Sequence, residues 1–547
     1  MSTNPPQPST NRARSLLGTC AHTLLFAAYP VLAMLAFNIG ELPASDALRA
    51  LVVSLVAASL LLLVMRLILR DWAKASLVST GGLILFFSYG HIYDLVREYN
   101  VADAFLGKHK FLLPLWLILF GIWFWWIAAK LKKTREAVRF FTTLGIVLVL
   151  LPLFTIVSHE VHDARYQVSE DSGPAVVQAA NAGERPDIYY IILDGHAGSD
   201  ILNELYDYDN SDLIRYLTDK GFYVASESTS NYIQTALSLA SSLNMEYLDE
   251  LAATQGVDNN DRSPLAEMIF NSKLREYLAG QGYKLVAFQT GYGRSSIRSA
   301  DIFWSVDKEV VPQVTSLWKV NSFESLFLET TALRAVFETR LFSQKNLRKI
   351  TNAPEFQAHR EMVLYELQRL DDPASMPGDY FVFAHIIIPH PPFVFGPNGE
   401  QRTPNTTHLL GDGDEYRGRR EEYLQGYRDQ AKFIDSQIQP VIDSILFKSK
   451  TPPVIIIQAD HGPGAYLIWE SPEQTNLQER FSILNAYYLP GDGEADLYPT
   501  ITPVNSFRVV LNQLFGEDFD LLPDKNYFTT WKRPYEFIDV TEQVQSH

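Results

Sequence analysis

Cysteine is nearly missing from this chain. Cys20 is the only one in 547 residues and lies in the first apolar run, so everything beyond that run has neither an internal disulfide nor a thiol nucleophile. Basic charge is also short: 46 Lys and Arg against 63 Asp and Glu give a net charge of −17, which excludes a protein built to hold a phosphate backbone. There is no internal repeat.

Long hydrophobic runs, by contrast, are concentrated in the first 160 residues. Leu16–Ile39, Leu48–Leu69, Ser76–Val96, Phe111–Ala129 and Phe140–Val157 are each long enough to cross about 30 Å of hydrocarbon as a helix. Arg12 and Arg14 precede the first run, Arg66, Arg70 and Lys74 follow the second, and Lys130, Lys132, Lys133, Arg135 and Arg139 separate the fourth from the fifth. Basic residues stay on the cytoplasmic side, so the N-terminus is expected inside and the chain after Val157 outside. His91, Asp94 and Arg97 are polar residues at the end of the third run, where a carboxylate needs shielding or an interfacial position.

Residues 159–186 read as a polar tether and 187–547 as one exported domain. In that domain Pro452 and Pro453 introduce Val454-Ile455-Ile456-Ile457, four β-branched residues that predict a strand buried on both faces. It ends in Asp460-His461-Gly462, and the strand predicted over 187–193 ends likewise in Asp194-Gly195-His196. Further strands are expected over 222–225, 283–289 and 379–388, with helices over 203–220, 264–279, 322–370 and 419–447. That alternation predicts an α/β domain, a central sheet flanked by helices.

The carboxyl edge of such a sheet is where ligands bind. Asp194, Asp460 and His461 there, with Thr235 opening a predicted helix, supply two carboxylates, an imidazole and a hydroxyl oxygen for one divalent cation. A cation-activated Thr235 at a helix N-terminus suits attack on a phosphoryl or sulfuryl centre. Read singly, each residue has a plainer role. Thr235 is then a helix cap, with Ser228, Ser230 and Ser238 as competing hydroxyls, and His385 belongs to the core or orients a ligand. His390 is either a substrate contact or a surface residue of a prolyl loop, His196 an exposed turn residue, and Arg480 one half of a surface ion pair.

The motifs Leu193-Asp194-Gly195, Asn231-Tyr232-Ile233-Gln234-Thr235 and Ala459-Asp460-His461-Gly462, in this order, resemble the sulfatase-like branch of the alkaline phosphatase superfamily. Five membrane helices ahead of such a domain resemble lipoteichoic acid synthases and phosphoethanolamine transferases of bacterial envelopes. The resemblance implies one metal (Mn, Mg or Zn) held by Asp194, Thr235, Asp460 and His461, and a covalent phospho-Thr235. It implies substrate contacts from His390, Arg294, Trp304 and Gln289, although the synthases carry a histidine where this chain has Gln289. The first acidic ligand is Asp194 where those transferases usually have Glu, and their bracing cysteines are absent. A sulfatase would need Cys or Ser in place of Thr235, and a two-metal phosphatase would need more histidines than His547 beyond the Asp-His pair.

The expected function is therefore transfer of a phospho head group, phosphoglycerol or phosphoethanolamine in type, from a phospholipid to an envelope glycan or lipid. The expected location is a bacterial-type plasma (inner) membrane. Hydrolysis through the same intermediate, and a non-catalytic membrane scaffold, are the alternatives.

Overall fold

The computed structural model describes residues 10–38, 44–98, 108–169, 185–306, 321–337, 353–402, 410–416, 418–491 and 496–545. The chain forms two compact units, one of Met1–Val168 with Trp318–Thr351, the other of Ser169–Leu317 with Asn352–His547. Residues 321–337, which the sequence reading keeps inside the exported domain, thus group with the N-terminal helices. The reason is apolar: Phe323 and Phe327 are buried among residues of those helices.

The first unit holds five helices long and apolar enough to cross a membrane. They are α1 (Thr10–Phe37), α2 (Ala47–Leu69), α3 (Trp72–Glu98), α4 (His109–Trp125, continued by a π-helical stretch Trp126–Lys130) and α5 (Thr134–Ser169). Asp71 caps α3 by accepting from the Ala73 and Lys74 amides at 2.8 and 3.1 Å, which starts that helix four residues before the apolar run. Small residues bring the helices close: the Ser54 hydroxyl donates to Ala27 O at 2.7 Å, and a Cβ on Gly81 would lie 2.0 Å from the Trp123 indole. Leu67, Leu117 and Phe154 point outward, as they would toward lipid.

The second unit is built on a seven-stranded sheet in the order β2-β7-β6-β1-β5-β3-β4. The strands are β1 (Ile188–Leu193), β2 (Tyr223–Val224), β3 (Lys284–Phe288), β4 (Ile302–Trp304), β5 (Tyr380–Ile386), β6 (Val454–Gln458) and β7 (Asn485–Tyr488). β6, β1, β5, β3 and β4 run parallel, while β7 and β2 pair antiparallel at one edge. Alternate residues serve opposite cores. Ile188, Tyr190, Ile192, Val454 and Ile456 face the helices Thr235–Asn244 and Pro503–Phe515, while Tyr189, Ile191, Leu193, Ile455 and Ile457 face Ala353–Arg369 and Arg420–Lys448. Each buried Ile contributes about 2 kcal/mol of transfer free energy, so a register slip is heavily penalised on both faces. Gln458, polar at the end of β6, accepts from Tyr190 Oη at 2.8 Å and donates to Asn485 and Ser506 at 2.9 and 2.8 Å. Its burial is therefore compensated.

Candidate active site

Three neighbouring parallel strands deliver the site. Asp194 follows β1, Asp460 and His461 follow β6, and His385 lies in β5 with His390 just beyond it. β1 lies between the other two, so the residues meet at one carboxyl edge. The backbone fixes them: the Asp194 amide donates to Ile386 O at 3.0 Å and the His390 amide to Asp194 O at 3.1 Å. Gly195 turns with φ of +72°, and its amide reaches Asp460 Oδ1 at 3.2 Å.

Thr235 enters from a helix. Gln234, in extended conformation, is the N-cap of Thr235–Asn244, and its side chain bonds Thr529 and Arg262. The capping role considered for Thr235 is thus not taken. Its hydroxyl lies 3.1 Å from His461 Nε2. The competing hydroxyls of Ser228 and Ser238 donate to backbone carbonyls of Ile501 and Tyr232.

His461 Nε2 is the hub: besides Thr235 Oγ1 it lies 3.4 Å from Asp460 Oδ2 and 3.7 Å from Asp194 Oδ1. Its Nδ1 donates to Gly462 O at 2.9 Å, which leaves the Nε2 lone pair facing the cluster. His390 is arranged alike, with Nδ1 donating to Pro391 O at 2.6 Å and Nε2 3.8 Å from Asp412 Oδ2. Asp194, His390 and His461 offer ligand atoms within 4.8 Å of one another, and so do Asp194, His385 and Asp460. Asp194 Oδ1 and Asp460 Oδ2 are buried with no hydrogen-bond partner, a costly arrangement unless a cation compensates them. The cluster therefore fits a divalent cation.

Electrostatics agree with ligand states. Burial raises the Asp194 carboxyl, but His390, His385 and His461 outweigh it and hold Asp194 well below the usual carboxylate range. Burial and the Arg480 guanidinium push His461 below the ordinary imidazole value, against Asp460 and Asp194, which favours the neutral ring. Burial also opposes the charged form of His390, yet Asp194 and Asp412 raise it overall.

His385 lies in the core beside a ligand candidate, as the sequence implied, whereas Arg480 and His196 are placed otherwise. His385 is fully buried, its Nε2 3.2 Å from Asp194 Oδ2 and its Nδ1 2.7 Å from Ser295 Oγ. Arg480 is no surface residue: 1 % exposed, it bonds Asp412 at 2.6 Å and the carbonyls of Ile233 and Gly462 behind Thr235 and His461. His196 is buried against Asp435 of the helix Arg420–Lys448, at 2.8 Å. Asp412, missed by the sequence reading, accepts from Arg480 and, at 2.6 Å, from Tyr423; it comes from a Gly-rich loop with no local signal of its partners. Arg294 stacks on Tyr292, whose ring lies 6.4 Å from His385. Trp304 packs on Phe288 under Arg369 at the far sheet edge, and the Gln289 amide donates to Trp304 O at 2.8 Å. The ring of Trp304 thus serves the core of that edge.

No protein-family profile and no curated protein sequence matches the chain. Among solved structures, it is similar to the C-terminal periplasmic domain of EcEptC from Escherichia coli, at 11% identity and a TM-score of 0.39, covering 66% of this chain and 94% of that one. It is likewise similar to the integral membrane lipooligosaccharide phosphoethanolamine transferase A (EptA) from Neisseria meningitidis, at 13% identity and a TM-score of 0.39, over 90% of this chain and 95% of that one. BT1596, a 2-O GAG sulfatase, aligns at 12% identity and a TM-score of 0.37, covering 66% of this chain and 75% of that one.

Proposed function

We propose that the chain is a membrane-anchored, metal-dependent phosphotransferase with Thr235 as nucleophile. The observation that carries this reading is the Thr235 hydroxyl at a helix N-terminus, 3.1 Å from the His461 Nε2 that itself lies 3.4 and 3.7 Å from the buried Asp460 and Asp194 carboxylates. Asp194, Asp460, His461 and the Thr235 oxygen would hold one cation (Mn, Mg or Zn), with His385 and His390 at its margin. Such a cation lowers the pKa of a coordinated hydroxyl and offsets charge on phosphate oxygens.

In the first half-reaction Thr235 Oγ1 attacks the phosphorus of a phospholipid. The bond from phosphorus to the diacylglycerol oxygen breaks, the threonine proton is lost to the site, and diacylglycerol leaves with a proton. The head group, phosphoglycerol or phosphoethanolamine in type, is then esterified to Thr235. In the second, a hydroxyl or amine of an envelope glycan or lipid attacks the same phosphorus and gives up its proton, while Thr235 leaves and is reprotonated. The backbone amides that open the helix Thr235–Asn244 would hold the anionic centre, and His390, within ligand reach of Asp194 and His461, would contact the substrate. Arg480 holds the Ile233 and Gly462 carbonyls, which sets Thr235 and His461 in register. Five apolar helices would anchor the chain in a bacterial-type plasma membrane, and the distribution of Lys and Arg supports an extracytoplasmic side for the chain after the fifth helix.

Purified protein incubated with head-group-labelled phospholipid, with and without glycan acceptor, tests the reading. Label moving to acceptor, and its loss in Thr235→Ala, is expected. Release independent of acceptor would replace transfer by hydrolysis, and full turnover by Thr235→Ala would remove the nucleophile.

A further inference from the structure

The segment 321–337 sits in the sequence between β4 and the helix Ala353–Arg369 of the second unit, yet among the described residues it packs on the apolar N-terminal helices. Its helix, Ser322–Thr330, starts with a capping box in which Asn321 and Glu324 bond each other's amides. Phe323 and Phe327 sink into the α1–α3 core, with the Phe327 ring tilted against Phe87 at 5.5 Å between centroids. Gly90 is the enabling residue in α3, because a Cβ there would lie 2.2 Å from Glu329 O. Polar contacts then fix the register. The Arg49 guanidinium forks onto the Glu324 carboxylate, and Asn321 Nδ2 donates to Asp46 O at 3.0 Å. The Ala332 amide donates to Phe86 O at 2.9 Å. Arg334 bonds both oxygens of Asp94 at 2.8 Å and stacks on Tyr93, which answers how a carboxylate at the end of an apolar span is accommodated. These contacts fall at the C-terminal halves of α1 and α3 and the N-terminal end of α2, and Ala335 shares a buried cluster with Leu112 near the start of α4, one end of the bundle.

We propose that residues 321–337 are a docking segment that fastens the exported domain to the outer ends of the membrane helices, separately from the tether after α5, and that turnover of membrane lipid depends on this dock. The inference rests on the lipid-transfer reading above. Its basis is the investment of the contact: one bidentate ion pair, a second ion pair, a capped helix and two buried phenylalanines are far more than an idle loop crossing a membrane surface requires. The chain from Val306 to Asn321 can span at most about 50 Å when fully extended, so docking restricts how far the exported domain can move from lipid.

Arg49→Glu places like charge against Glu324 and is expected to lower head-group release from phospholipid vesicles at least fivefold. Hydrolysis of a soluble ester such as bis-p-nitrophenyl phosphate should be unchanged. In a Cys20→Ser background, Phe86→Cys with Ala332→Cys is expected to oxidise to a cross-link in native membranes, and to restore lipid turnover to Arg49→Glu until reduced. Unchanged lipid turnover in Arg49→Glu, equal loss on both substrates, or absence of the cross-link in the active enzyme would overturn the dock. Failure of the unaltered protein on both substrates would instead remove the catalytic reading, and the cross-link, read by mass spectrometry, reports docking without any activity.

Discussion

Gly462 closes the Asp-His-Gly motif because nothing larger fits. A Cβ there would lie 2.0 Å from Glu479 O and 2.9 Å from Ser482 O, both backbone atoms that cannot rotate away. Gly462→Ala is expected to cost about 3 kcal/mol or prevent folding, measured by urea titration of the solubilised protein. Thr235→Val keeps the branched shape and should leave the melt of the metal-free protein unchanged while turnover falls by roughly 10³-fold or more. At this scale Asp194, Thr235, Asp460 and His461 were legible because each follows an apolar strand or opens a helix, a context the sequence itself carries. His196 and Arg480 were not: a turn histidine and a Glu-Arg-Phe triplet look solvated until Asp435 and Asp412, remote in sequence, are seen beside them.

Elements transmit the site's geometry, and the short helix Leu477–Phe481 does so through a buried acid. Burial pushes Glu479 up to about 8, against hydrogen bonds from Tyr206 Oη and the Tyr466 amide. In the unfolded chain Glu479 loses its proton near pH 4.3, so between about 4.5 and 8 the unfolded state binds fewer protons and stability falls as pH rises. Glu479→Gln, which copies the protonated form, is expected to flatten that part of the stability curve; an unaltered slope would assign the fall to other groups. The strands β1, β3, β5 and β6 and the long helix Arg420–Lys448 were readable because apolar runs of that length have few alternatives. β4 has three residues, and β7, read as no strand, begins with Asn485, whose side chain bonds Tyr487 in the same strand and Ser228, Ile501 and Gln458 across the fold. The return of 321–337 to the membrane helices was equally hidden, since an amphipathic helix does not announce its partner.

For the whole molecule, five helices long and apolar enough to cross a membrane, and a sheet that carries the candidate site, belong to one chain, and under the proposed function substrate and anchor share one phase. Chelation should abolish turnover and lower the melting temperature by several degrees, both restored by added Mn or Zn, since a cation bound only to the folded state stabilises it. An unchanged melt and full activity after exhaustive chelation would leave Asp194 Oδ1 and Asp460 Oδ2 unexplained. The covalent step is the centre of the account. Acid-quenching the full-length protein during turnover of a phospholipid labelled in its head-group phosphate, then sequencing the modified peptide by mass spectrometry, tests it directly. The account predicts label on Thr235, formed and discharged at the rate of turnover; label on another residue, or none while turnover proceeds, would contradict it.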